Sequence, residues 1–276
     1  MKLWTKRLWK IEYQTNGLNY KVATMKNLNS LCEYLPWDSH LFDIRIARIK
    51  KCFLNNREIK QCIRWCRENK ITCVYYLVDP ARVNSIHLAE SSGFHLVDIR
   101  VTLETDILAS PYINMPLKET MPLVREANRN DIVEIKKIAK ENHFDTRFFK
   151  DKRFPRDKSA ELYELWIEKG FKNVHGIVLV AKIKKKTAGY IVLDISENHT
   201  GKIELVGVNN KFRDRGIGGA LVCAALRWFN INGAKRATVV TQGTNISALR
   251  LYSKWGFLPH ETQCWYHLWC LPSEKK

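Results

Sequence analysis

Apolar and polar residues along the first half of the chain follow a strand and helix order. The pattern predicts a helix at 57–69, a buried strand at 71–78, a short helix at 84–92 and an alternating strand at 94–107. The run 71–78 is almost continuously apolar, which is typical of a strand covered on both faces. Gly93 is placed to end the short helix, because glycine accepts the left-handed conformation common after a helix.

The second half of the chain has a longer series of the same kind. It predicts helices at 128–141, 157–169, 216–232 and 245–255, and strands at 174–183, 187–195, 201–208, 236–241 and 257–269. A helix separates the third and fourth of these strands, so a parallel step falls late in the chain. The predicted fold class is α/β, with mixed sheet flanked by helices.

The two halves contain a repeat. The segment 82–94 (RVNSIHLAESSGF) aligns without gaps with 245–257 (NISALRLYSKWGF) at an offset that pairs Gly93 with Gly256. Leucine and phenylalanine coincide in the two copies, and the strands before them also correspond. Ala89 stands in the first copy where Tyr252 stands in the second. The chain therefore holds two modules of one kind.

A segment rich in proline separates the modules. Residues 109–122 have no helical or strand period, and they lie between the patterned halves. We therefore expect a first module at 1–108, a linker at 109–122 and a second module at 123–276.

Composition restricts the class of protein. An apolar content of 45% is enough to build packed cores. No apolar stretch resembles a signal peptide or a membrane span, so a cytoplasmic protein is expected. The eight cysteines form no Cys-x-x-Cys pair, which favours reduced thiols and no metal site. The net charge of +18 suits a polyanionic ligand, and nucleic acid is not the expected partner because no recognition motif accompanies it.

The segment 209–219 (NNKFRDRGIGG) follows a predicted strand and opens a predicted helix. Backbone N–H groups at a helix start can hold phosphate, and glycines allow close approach. A Walker loop is excluded by the absent Gly-Lys-Ser/Thr end, and Leu221 replaces the third glycine of a dinucleotide loop. The remaining pattern is Arg-x-x-Gly-x-Gly, formed by Arg213, Gly216 and Gly218.

Together with the later pattern Asn-x3-Leu-x2-Tyr-x3-Gly-Phe at 245–257, this loop resembles the Gcn5-related N-acetyltransferase (GNAT) superfamily. The resemblance covers 201–269 and implies acetyl-coenzyme A (acetyl-CoA) as co-substrate, with no metal. The co-substrate would lie in a V between the strand that ends at Val208 and the strand 236–241. The implied cofactor-binding residues are Val206, Gly207, Val208, Arg213, Asp214, Arg215, Gly216, Ile217, Gly218, Gly219 and Asn245.

The resemblance also implies catalytic roles. Tyr252 occupies the position of the general acid that protonates the departing thiolate, although a buried helix tyrosine is the alternative. The Val208 N–H would stabilise the developing oxyanion. Glu204 is the candidate base, and a surface glutamate, with direct proton loss to solvent, remains the alternative.

The first module looks degenerate, since it has Ala89 for the tyrosine and no glycine at 50–55. Segments 35–49 and 144–167 resemble a two-module subgroup similar to dTDP-fucosamine (dTDP-4-amino-4,6-dideoxygalactose) acetyltransferases. Asp43 departs from that pattern, where glycine is usual. The resemblance implies a nucleotide-linked amino-deoxy sugar as acceptor. Candidate substrate residues are Arg147, Phe148 and Arg153. The two arginines could equally be surface residues beside a packed aromatic pair, Phe148 and Phe149.

Two other readings stay open. One keeps the fold and changes the acceptor to a protein N-terminus or another small amine. The other is a non-catalytic, basic binding protein. Exposed strand edges could also pair two copies into a homodimer.

Overall fold

The computed structural model describes residues 31–113 and 122–270, so most of the predicted linker and both chain ends lie outside the described residues. The strands are β1 Cys32–Tyr34, β2 Ile46–Ile49, β3 Cys73–Val78, β4 His95–Asp106, β5 Leu123–Glu126, β6 Gly176–Ile183, β7 Lys186–Ile195, β8 Thr200–Val208, β9 Arg236–Gln242 and β10 Leu258–Trp269. The helices are α1 Pro36–Phe42, α2 Asn56–Glu68, α3 Val83–Ser91, α4 Ile132–Asn142, α5 Arg147–Lys150, α6 Arg156–Lys172, α7 Ile217–Ile231 and α8 Ile246–Lys254.

These strands form one mixed sheet in the order β1-β2-β3-β10-β4-β9-β8-β7-β6-β5. The pairs β2/β3 and β8/β9 are parallel, and the other pairs are antiparallel. The predicted α/β fold, with two modules of mixed sheet flanked by helices and a late parallel step, is confirmed. The two modules share a single sheet.

The last strands of the modules are exchanged. β10, from the end of the chain, lies between β3 and β4, and β4 lies between β10 and β9. Each module therefore completes the sheet of the other. In the central pair Arg100 faces Gln263, 163 residues later, so a local pseudo-twofold axis passes through this point. The pairing also skips one residue on each strand, Val97 and His260, and these are again 163 residues apart. The repeat in the sequence is thus a repeat in geometry.

Three apolar cores cover the sheet. One lies under α7 and α8 around Phe229 and Phe257, and another lies under α4 and α6 around Tyr190. The third belongs to the first module and surrounds Trp65 and Phe94. Truncating one such buried aromatic side chain to alanine typically costs about 3–5 kcal/mol of folding free energy.

Other features bear on the expected class. All eight cysteines are free thiols. In the two described stretches, no group of three or more metal-binding side chains could hold a metal ion. No helix there is both long enough and apolar enough to cross a bilayer.

Candidate active site

The two parallel strands of the second module separate part of the way along their length. β8 pairs with β9 from Thr200 and Arg236 as far as Ile203 and Val239, yet β8 continues to Val208. Glu204 is a β-bulge, because the pairing of β8 with β7 passes directly from Ile203 to Leu205. The result is a V-shaped cleft between the ends of β8 and β9, beginning at Glu204.

Backbone groups of β8 face this cleft. The N–H of Asn209 donates to the carbonyl of Ala188 on β7 at 2.9 Å. Because N–H directions alternate along a strand, the N–H groups of Val208 and Val206 point the other way, into the cleft. Gly207 has a different reason to be glycine, since a Cβ there would lie 2.5 Å from Cε1 of Tyr190.

The loop after β8 ends in an open helix start. Gly216 has a φ of +74° at the N-cap of α7, and no side chain caps this helix of 15 residues. A Cβ built on Gly216 would meet nothing within 4 Å. There is thus free space beside the positive start of α7, whose first N–H groups have no capping side chain. This geometry fits a pyrophosphate group, so the loop has the space and the donors that acetyl-CoA requires.

The neighbouring loop residues take several roles. Gly218 and Gly219 allow α7 to approach α8, since Cβ atoms there would lie 3.1 Å from Leu251 and 3.2 Å from Trp255. Ile217 is a core residue, with 1% of its side chain exposed. Asp214 has a left-handed backbone, with a φ of +60°.

The two arginines of the loop lie at its surface. Arg213 donates to Oδ1 of Asn142 at 3.1 Å, and the guanidinium of Arg215 lies 5.8 Å from the ring of Phe212. Both cations stand beside the open start of α7.

Tyr252 lies on α8 with 2% of its side chain exposed, against Phe257. Burial raises the pKa of the phenol well above its usual value, so the hydroxyl stays protonated at neutral pH. Asn245 starts the same helix, and its Oδ1 accepts from the N–H of Ala248 at 3.1 Å. In this structure the observed role of Asn245 is therefore that of a helix cap.

Glu204 is open to solvent yet surrounded by protein. Its side chain is exposed, and desolvation by its surroundings still raises the pKa of the carboxyl. Lys202 and Lys169 oppose this rise, and Asp194 adds to it. An accessible carboxylate with a raised pKa is expected at the bottom of an open cleft, where it can take up a proton.

The segment 143–150, which overlaps the predicted substrate segment 144–167, runs from one side of the cleft to the other. On one side, Nε2 of His143 lies 2.9 Å from the hydroxyl of Tyr190, a residue of β7 that pairs with Gly207 of β8. On the β9 side, Lys150 lies 3.0 Å from the hydroxyl of Thr244 and 2.9 Å from Asp98 on β4. Asp98 belongs to the first module, so both modules contribute to this region. The contacts of His143 and Lys150 were not predicted, because they join residues far apart in the chain.

The three predicted substrate residues lie nearby at the seam between the modules. The guanidinium of Arg147 sits 4.0 Å from the ring centre of Tyr75 and 4.4 Å from that of Trp265, and it contacts Nε2 of His267 at 3.0 Å. His267 is held on its other side by Asp151 at 2.8 Å.

Phe148 is 5% exposed and packs in the core, so it offers little surface to a ligand. Arg153 is exposed and lies 5.7 Å from the ring centre of Trp269. The structure thus places all three residues at one seam and leaves Arg153 the most accessible of them.

Comparison with known families identifies the class of this domain. Residues 135–257, which contain the cleft, match the model described as "Acetyltransferase (GNAT) family". This part of the chain is thus similar to the acetyltransferases of the GNAT family, in agreement with the resemblance that its motifs predicted.

A curated bacterial protein is similar to part of the chain. The chain is 24% identical over 139 residues to the spore coat polysaccharide biosynthesis protein SpsD of Bacillus subtilis, a match that covers 50% of this chain and 48% of SpsD. The match thus spans about half the length of that relative.

Solved structures share the fold. A GNAT protein of Sphaerobacter thermophilus has a TM-score of 0.63 at 14% identity, over 87% of this chain and 76% of its own. A tandem GNAT protein from the clavulanic acid biosynthesis pathway has a TM-score of 0.58 at 13% identity, over 83% and 76%. The arrangement of two modules therefore has precedents.

Proposed function

We propose that this protein transfers an acetyl group from acetyl-CoA to the amine of a nucleotide-linked amino-deoxy sugar. The observation that supports it most strongly is the V between β8 and β9, with the uncapped start of α7 at its mouth and Glu204 at its base. The proposal keeps the division into a degenerate module at 1–108 and a catalytic module at 123–276.

The residues around the V have distinct tasks in this proposal. Backbone N–H groups at the start of α7, with Arg213 and Arg215, would hold the pyrophosphate of acetyl-CoA. The N–H groups of Val206 and Val208 would pair with its pantetheine arm. Bound acetyl-CoA supplies the reactive thioester carbonyl.

The reaction would use one backbone group to stabilise charge and two side chains to transfer protons. The Val208 N–H would donate to the oxygen on which negative charge develops. Tyr252 would give its proton to the departing sulfur, for which a phenol that stays protonated is suited. Glu204, with its raised pKa, would accept the amine proton, directly or through water.

The acceptor class rests on three points of support. SpsD is named for polysaccharide biosynthesis, and a sugar is the acceptor that such a name suggests. The net charge of +18 suits a substrate that carries phosphates. Arg147 and Arg153 lie at the seam between the modules, and they are the cations that we assign to a substrate diphosphate. A dTDP-linked 4-amino-4,6-dideoxy sugar remains the specific proposal.

The test is a product-mass assay with acetyl-CoA and four acceptors. These are dTDP-linked 4-amino-4,6-dideoxygalactose, its glucose epimer, a UDP-linked amino sugar and a peptide with a free N-terminus. Acetylation of a nucleotide sugar is the expected result. The ratio of kcat/KM between the two epimers then shows which epimer is the better substrate.

Acetylation of the peptide alone would replace the sugar by a protein amine as acceptor. Absence of product, together with absence of acetyl-CoA binding in a calorimetric titration, would leave a non-catalytic protein.

A variant with Arg153→Ala tests the diphosphate contact, because KM for the sugar should rise while KM for acetyl-CoA stays unchanged.

A further inference from the structure

Four of the eight cysteines meet at one place in the first module, away from the cleft. Cys32 lies on β1, Cys62 and Cys66 lie one turn apart on α2, and Cys270 follows β10 directly. Backbone contacts bring the last two segments together. The N–H of Cys270 donates to the carbonyl of Thr72 at 2.8 Å, and the neighbouring Ile71 donates to the carbonyl of Cys66 at 2.8 Å. The end of β10 therefore lies against the end of α2.

The side chains of these cysteines pack together. Cys32, Cys62 and Cys66 belong to one buried apolar cluster, and Cys270 packs against it. Cys32, Cys62 and Cys66 are at most 1% exposed, whereas Cys270 is half-buried. No set of described residues has the arrangement of a metal site, so the chemistry available is that of the thiols themselves.

Cys270 and Cys66 differ in a way that gives them separate roles. The hydrogen bond from Cys66 lowers the pKa of the Cys270 thiol, and the charge of Arg67 lowers it further, against the effect of burial. The same contact raises the pKa of Cys66. Of the two, the half-buried thiol with the lowered pKa is the one expected to react first, and the buried thiol beside it can then displace the first product.

We propose that Cys270 and Cys66 form a disulfide by exchange with a small-molecule disulfide, and that the bond ties the exchanged strand β10 to α2 of the first module. The Cys270 thiolate attacks one sulfur of the reagent, forms a mixed disulfide and releases one thiolate. Cys66 loses its proton to water and attacks the Cys270 sulfur, which releases the second thiolate. The cysteine pair is thereby oxidised by two electrons, and the reagent is reduced to two thiols.

The experiment treats the full chain with oxidised glutathione and measures intact mass and disulfide-linked peptides under non-reducing conditions. The wild-type chain should lose two hydrogen atoms and yield a single linked peptide pair that contains Cys66 and Cys270. A Cys66→Ser variant should instead retain one glutathione on Cys270, because nothing displaces it. Cys270→Ser should show neither product.

Cys264→Ser is the matched control, since Cys264 is also half-buried and lies six residues earlier in the chain. It should behave as the wild type. The proposal is wrong if the wild type keeps all thiols reduced, or if the linked peptides join any other pair. A glutathione adduct at another cysteine in Cys66→Ser would also overturn it.

Discussion

Each module has a helix after the equivalent strand, α2 after β2 and α7 after β8, yet the two helices begin differently. In the first module Asn55 accepts from the N–H groups of Arg57 and Glu58, and Glu58 accepts in return from the N–H of Asn55. This capping box satisfies the free donors of α2. In the second module Gly216 begins α7 with no capping side chain. The same framework is thus closed to an anion in one module and open to one in the other.

The strand gap shows the same contrast. In the first module the N–H of Asp79 donates to the carbonyl of Cys52 at 3.1 Å, so the chain after β2 stays attached to the end of β3. The corresponding part of β8 has no partner on β9. By the strand registers, Lys50 corresponds to the bulged Glu204. A module of this kind loses its cleft through a cap and one backbone contact, without losing its fold.

The largest effect is expected from Tyr252→Phe, which removes the proposed proton donor from the active module. Loss of a general acid typically lowers turnover by about a hundredfold to ten-thousandfold. Tyr266→Phe is the matched change on the side of the first module, where the hydroxyl contacts Glu90 at 3.0 Å. It should leave kcat unchanged. Equal kcat values for wild type and Tyr252→Phe would exclude Tyr252 as the acid.

Glu204→Gln tests whether the carboxylate of Glu204, whose equivalent in the first module is Lys50, acts as the base. The raised pKa of Glu204 means that activity should rise with pH as this carboxyl loses its proton, and fall on acidification. The glutamine variant should lose this acidic limb of the pH profile and about a hundredfold in kcat. An unchanged profile of kcat/KM against pH would show that the proton leaves directly to solvent.

Gly216→Asp tests whether a capping side chain at the start of α7 prevents anion binding there, as the cap on α2 is expected to do in the first module. Aspartate tolerates the left-handed backbone and caps the helix, but its charge would repel a bound phosphate. KM for acetyl-CoA should rise about tenfold relative to Gly216→Asn, which adds a similar cap without charge. Thermal unfolding should show both variants folded. Equal KM values in the two variants would mean that phosphate does not bind at this helix start.

The smallest effect is expected from Asn55→Ala, which removes the cap in the first module. The free energy of unfolding should fall by about 1 kcal/mol, because the first donors of α2 lose their acceptor. Denaturant titration measures this change, and kcat should be the same as in the wild type. A large loss of activity would mean that the closed module takes part in catalysis.

Local patterns predicted most elements closely. The helix expected at 245–255 is α8 at Ile246–Lys254, and the strand expected at 201–208 is β8 at Thr200–Val208. The repeat offset of 163 residues predicted the shared plan of the modules, because periodicity and glycine ends are local signals. Local motifs also singled out the glycine loop and Tyr252, whose roles stay predictions.

Long-range features were not predictable from those signals. The hydrophobic pattern places 257–269 in the second module, and it does not indicate that β10 lies between two strands of the first module. Strand order depends on packing across the whole sheet, which a window of ten residues does not record. Likewise, the contact of His143 with Tyr190 joins residues 47 positions apart.

The exchange of β4 and β10 also affects how the protein is made. A ribosome releases β3 early, but its partner β10 begins about 180 residues after β3 ends. Until then the β3 edge is unpaired and can meet other nascent chains. The first half therefore depends on residues synthesised much later to become complete, and its folding is expected to finish only after β10 has left the ribosome.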